Sequence, residues 1–150
     1  MKTISKLYQI RLLNPALLLI RIWLGTVMII HSGTYLFEGK VSELATFLES
    51  LNWPFPLIMA YASQIAEFGA AILILLGIRL GAWVMVFTLG IAVLFAHSGK
   101  IYSEAELPFN YFLMSMVLLL AGCGKPNLDE YLFKKFNMII RNSASKVKMR

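Results

Sequence analysis

Polar breaks divide the chain into four long apolar runs, at about 16–37, 55–78, 80–98 and 107–124. Each is close to the ~20 residues a helix needs to cross a bilayer. Ahead of the first run lies a basic amphipathic lead, in which Lys2, Lys6 and Arg11 alternate with Ile4, Leu7, Tyr8 and Leu12. Asn14-Pro15 predicts a helix start, with Asn as cap and Pro at the first helical position. Between the first two runs, Leu44, Phe47, Leu48 and Leu51 recur at i, i+3, i+4 and i+7. That spacing predicts a short amphipathic helix capped by Ser42, lying flat on the membrane or over the bundle. Trp53-Pro54-Phe55-Pro56 ends it and opens the second run, with Trp53 at headgroup level. Gly77-Ile78-Arg79 marks a tight turn before the third run. After the fourth, Leu128, Tyr131, Leu132, Phe136, Ile139 and Ile140 predict a second amphipathic segment, and the polar tail from Asn142 is expected to be disordered.

Composition sharpens this picture. Apolar residues are 59% of the chain and charged residues 15%, against about 25% charged in an ordinary soluble domain. Mean hydropathy is +0.71. The long unbroken runs argue against a β-barrel, whose strands alternate over ~10 residues. The expected fold is all-α: an integral membrane bundle of four transmembrane helices with short amphipathic interfacial helices. Its expected organisation is a lead at 1–15, a membrane domain at 16–124 and a basic amphipathic tail at 125–150. The first run is read as an uncleaved span, because it is too long for a signal-peptide core and carries Arg21.

The net charge of +6 is concentrated at the chain ends, which favours anionic lipid over nucleic acid as partner. Basic residues flank the spans unevenly: three in the lead, one in the Arg79 turn, seven from Lys125 onward, and only Lys40 and Lys100 in the other loops. The positive-inside rule then puts both termini and the Arg79 turn in the cytoplasm of a bacterial-type inner membrane. Arg21 is expected to snorkel to that interface. The single cysteine, Cys123, excludes thiol–disulfide chemistry within the chain and is expected to be a packing residue.

Ionisable groups inside spans are costly and usually functional. His31 and His97 fall near the outward ends of spans one and three, which are diagonal neighbours in an up-down bundle. Both begin a His-Ser-Gly tripeptide. Glu67 lies near the middle of span two, on a polar stripe of Ala60, Ser63, Gln64, Glu67 and Ala71. Tyr35 lies a turn beyond His31, and span four brings Asn110. These residues predict a polar cavity in the outward half. Glu67, His31 and His97 are the candidate catalytic residues. His31, Tyr35, Gln64, His97 and Asn110 are the candidate ligand contacts. Opposed histidines can ligate haem or copper; a His with a carboxylate can hold a quinone and move its protons, or form a proton relay. No metal motif is complete, and Gly122-Cys123-Gly124-Lys125-Pro126 lacks the elements of a phosphate loop.

Several motifs in this order resemble the DoxX family of small four-span membrane proteins. They are Arg21…Gly25…His31-x-Gly33, Phe47…Leu51-Asn52-Trp53-Pro54, Ala66-Glu67-Phe68-Gly69 with Leu75-Leu76-Gly77, and the closing Gly122 to Asp129 stretch. The family often carries Lys where this chain has Tyr35. The resemblance implies a redox-linked, quinone-associated subunit of a cytoplasmic-membrane oxidoreductase system, working with membrane or peripheral redox partners. Two alternatives stay open: a non-catalytic assembly or anchor subunit, and a small transporter component with Glu67 as proton relay. A homo-oligomer also stays open.

Overall fold

The computed structural model describes residues 2–96, 98, 101, 102 and 105–148, and within these the side chains of residues 12–138. Its elements are α1 (Lys2–Phe37), α2 (Val41–Ser50), α3 (Pro56–Leu75), α4 (Arg79–Ile91) with a π-helical turn at Ala92–Ala96, α5 (Glu106–Ala121) and α6 (Leu128–Lys148). There is no strand among the described residues, so the all-α expectation holds. Among the described residues, three helical stretches are long and apolar enough to cross a membrane: Leu12–Phe37, Pro56–Leu75 and Arg79–Ala96. The fourth apolar helix, α5, is shorter at 16 residues.

Packing follows the small and apolar stripes. α1 packs on α3, α3 on α4, α4 on α5, and α5 closes on α1, so α1 and α4 occupy opposite corners. The shared core is Leu17, Leu24 and Met28 of α1, Ala70, Ala71 and Ile74 of α3, Ala82, Met85 and Leu89 of α4, and Leu118 of α5. Small residues let the backbones approach. A Cβ on Gly81 would stand 2.5 Å from the Ala70 carbonyl oxygen and 2.8 Å from the Ile74 nitrogen. Outside, the same helices expose Leu19, Ile22, Trp23, Ile58, Ile65, Trp83, Phe87, Leu94, Phe95 and Leu120. An apolar belt of this extent is foreign to soluble proteins and suits lipid. The chain is a multi-pass membrane protein.

Several local expectations are corrected. Asn14-Pro15 does not start a helix, because α1 runs through Pro15. Proline removes one backbone bond, and the strong helix formers on either side carry the helix past it. Ser42 is not the cap of α2. Gly39, at φ +75°, turns the chain and α2 begins at Val41, whose side chain is buried in a cluster with Leu48 and Ala60. The Ser42 hydroxyl donates instead to the Gly39 carbonyl at 3.2 Å. At its other end α2 stops in a Schellman motif: Asn52 takes the left-handed conformation (φ +57°), Asn52 N–H donates to the Glu49 carbonyl, and Trp53 N–H to that of Leu48. The fourth apolar helix ends at Ala121, short of Gly124, because Gly122 and Gly124 adopt φ +90° and +67°. The tail is helical past Asn142, to Lys148.

Arg21 departs most from expectation. It does not snorkel to the surface, being only 6% exposed. Its Nη1 donates to the Cys123 carbonyl at 3.1 Å and the Pro126 carbonyl at 2.6 Å. The closing Gly122 to Asp129 stretch therefore forms a clasp over one end of the bundle. Leu128 N–H donates to the Leu76 carbonyl at 3.2 Å, and the Asp129 carboxylate accepts the Arg79 N–H at the start of α4 at 2.7 Å. Asn127 caps α6, accepting the Glu130 N–H at 2.9 Å and donating to the Gly124 carbonyl at 2.9 Å. Cys123 is buried inside this clasp, the packing role expected of it.

Candidate ligand cavity

At the opposite end of the bundle a cavity of about 570 Å³ opens between α1, α2, α3, α4 and α5. That volume lies in the range of small-molecule sites. Its floor comes from Met28, Gln64, Glu67, Thr88 and Leu89, and its roof from Glu43, Leu44, Phe47 and Leu48 of α2 with Trp53. The roof stays in place because Val41 and Leu48 pack on Ala60, with Tyr35, Leu36, Leu44, Ala45 and Trp53 around them. α2 thus caps the bundle, one of the two placements its amphipathic pattern allows. Trp53 belongs to that roof. The π-helical turn, which seats one extra residue per turn, contributes Ala92 and Ala96 to the wall. Such turns recur at functional sites.

Helix spacing explains the polar floor. Gln64 and Glu67 are three residues apart on α3, on the face that also buries Ala60, Ala71 and Ile74. Both are nearly enclosed, at 4% and 6% exposure. Glu67 Oε2 accepts the Ser32 hydroxyl of α1 at 3.4 Å. Its other oxygen, Oε1, has no hydrogen-bond partner among the described residues and is not sealed in protein, which leaves it to the cavity. Gln64 Oε1 is sealed without a partner. The remaining floor hydroxyls are already engaged, Ser63 with the Ala60 carbonyl at 3.0 Å and Thr88 with those of Val84 and Met85 at 3.1 and 3.2 Å.

Four of the residues singled out in the sequence meet at this cavity: His31, Tyr35, Gln64 and Glu67. His31 is exposed at the rim and its ring lies 5.1 Å from that of Tyr35, tilted by 51°. Asn110 does not join them. It is exposed, and α5 instead presents Leu107, Pro108 and Tyr111 to the cavity; Asn110 falls to one side of that arc. His97 lies outside the described residues, and so does the expected facing of the two histidines. Among the described residues, no three His, Cys, Asp or Glu side chains gather to hold a metal ion.

Sequence reasoning missed Ser32 as the partner of Glu67. The signal was present: Leu17, Arg21, Leu24, Met28 and Ser32 recur at three- and four-residue steps and all are buried, so Ser32, not His31, continues the inward stripe. Tyr111, Thr88 and Glu43 were also missed. Nothing in their local pattern separates them from other helix residues.

Comparison with curated proteins and with solved structures yields no match. The family profile DoxX matches residues 16–98, more than half of the chain, and takes in α2, α3, α4 and the part of α1 that lines the cavity. The apolar helices, the enclosed glutamate and this match agree: the chain belongs to the DoxX family of membrane proteins.

Proposed function

We propose that this protein is a quinone-associated, redox-linked subunit of a bacterial-type inner membrane, built as a four-span bundle with both termini cytoplasmic. α5 would serve as the fourth span. Its 16 residues rise about 24 Å, a shortfall that local bilayer thinning accommodates. The lead at 1–15 and the tail at 125–150 would flank the membrane domain at 16–124, and redox partners would dock on the exposed surfaces. The basic lead, Arg79 turn and tail support this orientation, which turns the cavity away from the cytoplasm.

One observation carries the reading: a largely apolar cavity, reached by the rim residue His31, has the unpaired oxygen of an enclosed Glu67 at its floor. The lining suits a flat, apolar ring with a polar edge. Trp53, Phe47, Phe87 and Tyr111 supply aromatic surface, while Gln64 and Glu67 supply the polar contacts. A bound quinone would supply two-electron, two-proton exchange. Glu67 Oε1 would take or return a proton at the buried edge of the ring. His31, kept beside Tyr35, would exchange it with the outside. His97 enters this reading from its place in the sequence alone.

The test is equilibrium binding of duroquinone and duroquinol to the purified protein in nanodiscs. Saturable binding that is lost on filling the wall with Ala92→Phe supports the proposal. Absence of binding for both compounds overturns it.

A second reading has its own support. The Ser32–Glu67 hydrogen bond joins α1 to α3, as expected of interhelical glue in an anchor subunit. Glu67→Gln would then lower thermal stability and leave ligand binding unchanged.

A further inference from the structure

We infer that the cavity floor selects a ring bearing a hydroxyl over the same ring bearing a carbonyl, so that the reduced, diol form of the ligand is the one held. This rests on the ligand-binding reading above and adds which oxidation state the site recognises.

The inference follows from what the floor offers. On Glu67 the open polar atom is Oε1, since Oε2 is occupied by Ser32. One turn away stands the Gln64 amide, whose Oε1 is sealed and unpartnered, so its NH2 end is the part left to the cavity. The hydroxyls of Ser63 and Thr88 already serve their own helices. Met28 and Leu89 complete the floor with no polar side-chain group beyond a thioether. Among the described residues no Lys or Arg lines the cavity, whereas Glu43 in the roof adds a second carboxylate.

A hydroxyl matches this pair, because it donates to Glu67 Oε1 and accepts from the Gln64 amide. A carbonyl oxygen only accepts. Against the ionised form of Glu67 it bonds to Gln64 but sets its lone pairs against those of the carboxylate, leaving one oxygen desolvated and unpaired. Sites built to hydrogen-bond a hydroxyl discriminate strongly against analogues that lack it. A hydrogen bond to a charged group corresponds to about 10- to 100-fold in affinity.

The experiment compares three ligands with one tetramethylated ring on the full chain in nanodiscs under anaerobic conditions: duroquinol, duroquinone and the dimethyl ether of duroquinol. The ether has the reduced ring but no O–H. The expected order is duroquinol at least about tenfold tighter than the other two, which bind alike. In Glu67→Gln, whose side-chain amide also donates, the ratio of quinol to quinone falls towards one, chiefly through better quinone binding. Equal binding of quinol and quinone by the unmodified protein overturns the inference while leaving the cavity as a ligand site. Equal binding of quinol and its ether overturns it too, since the O–H would then carry nothing. If Glu67→Gln does not fold, the three-ligand comparison on the unmodified protein still decides. Failure of all three ligands to bind strikes the proposed function itself.

Discussion

Gly77 and Gly39 form a matched pair of probes for the Arg21 clasp. Both have φ +75°. A Cβ at Gly39 meets nothing within 4 Å, whereas at Gly77 it would stand 2.6 Å from Arg21 Nη1 and 2.9 Å from both Cα and Cβ of Asn127. Gly39→Ala therefore carries only the left-handed backbone penalty, about 1–2 kcal/mol. Gly77→Ala carries the same penalty and also pushes the guanidinium out of line. Arg21 then loses at least one of its bonds to the Cys123 and Pro126 carbonyls, each worth about 1.5–3 kcal/mol as a bond to a charged donor. Asn127 has little room to retreat, because its side chain caps α6 and the next residue is bonded to Leu76. The sum for Gly77→Ala is about 2.5–5 kcal/mol. At about 2–4 °C per kcal/mol, Tm falls by about 2–8 °C for Gly39→Ala and about 5–20 °C for Gly77→Ala. Tryptophan fluorescence during heating in one detergent measures both. A third variant, Arg21→Met, and its double with Gly77→Ala complete a cycle. If the clash is with Arg21, the double variant loses clearly less than the sum of the singles. Equal Tm losses for the two glycine variants, or simple additivity in the cycle, would refute the clasp as the reason for Gly77.

Gly81→Ala should be more severe than Gly25→Ala. The first Cβ meets backbone atoms of α3, which cannot move separately, while the second meets mainly the flexible Leu75 side chain; the yield of monodisperse protein on size exclusion measures the difference, and equal yields would count against close α3–α4 contact. Glu130 is held below the ordinary glutamate pKa by the Lys125 and Lys134 ammonium groups. Its contribution to the first turn of α6 is therefore present above the ordinary glutamate pKa and lost as pH falls through the lowered value. NMR titration of its carboxyl should show a low midpoint that moves up in Lys125→Ala with Lys134→Ala and in high salt.

The number of apolar helices, the amphipathic character of α2 and the polar stripe of α3 could all be read from the chain. Each depends on local periodicity: a helix repeats every 3.6 residues, so neighbours on one face are visible at three- and four-residue steps. Gln64 and Glu67 were found because they fall on that stripe and because a carboxylate within an apolar run is costly wherever the run ends up. Tertiary structure alone decided what each polar group meets. Arg21, near one end of an apolar run, had a lipid interface within reach, but the carbonyls of a turn more than a hundred residues away reach it first. Ser32 bonds Glu67 only because α1 and α3 cross at that level. Asn110 and Tyr111 are adjacent in sequence, and only the rotation of α5 against α4 sends Tyr111 to the cavity. Periodicity specifies a helix face up to a rotation about its axis; the partner across that face depends on depth and rotation together, and these are set by the packing of all the helices at once.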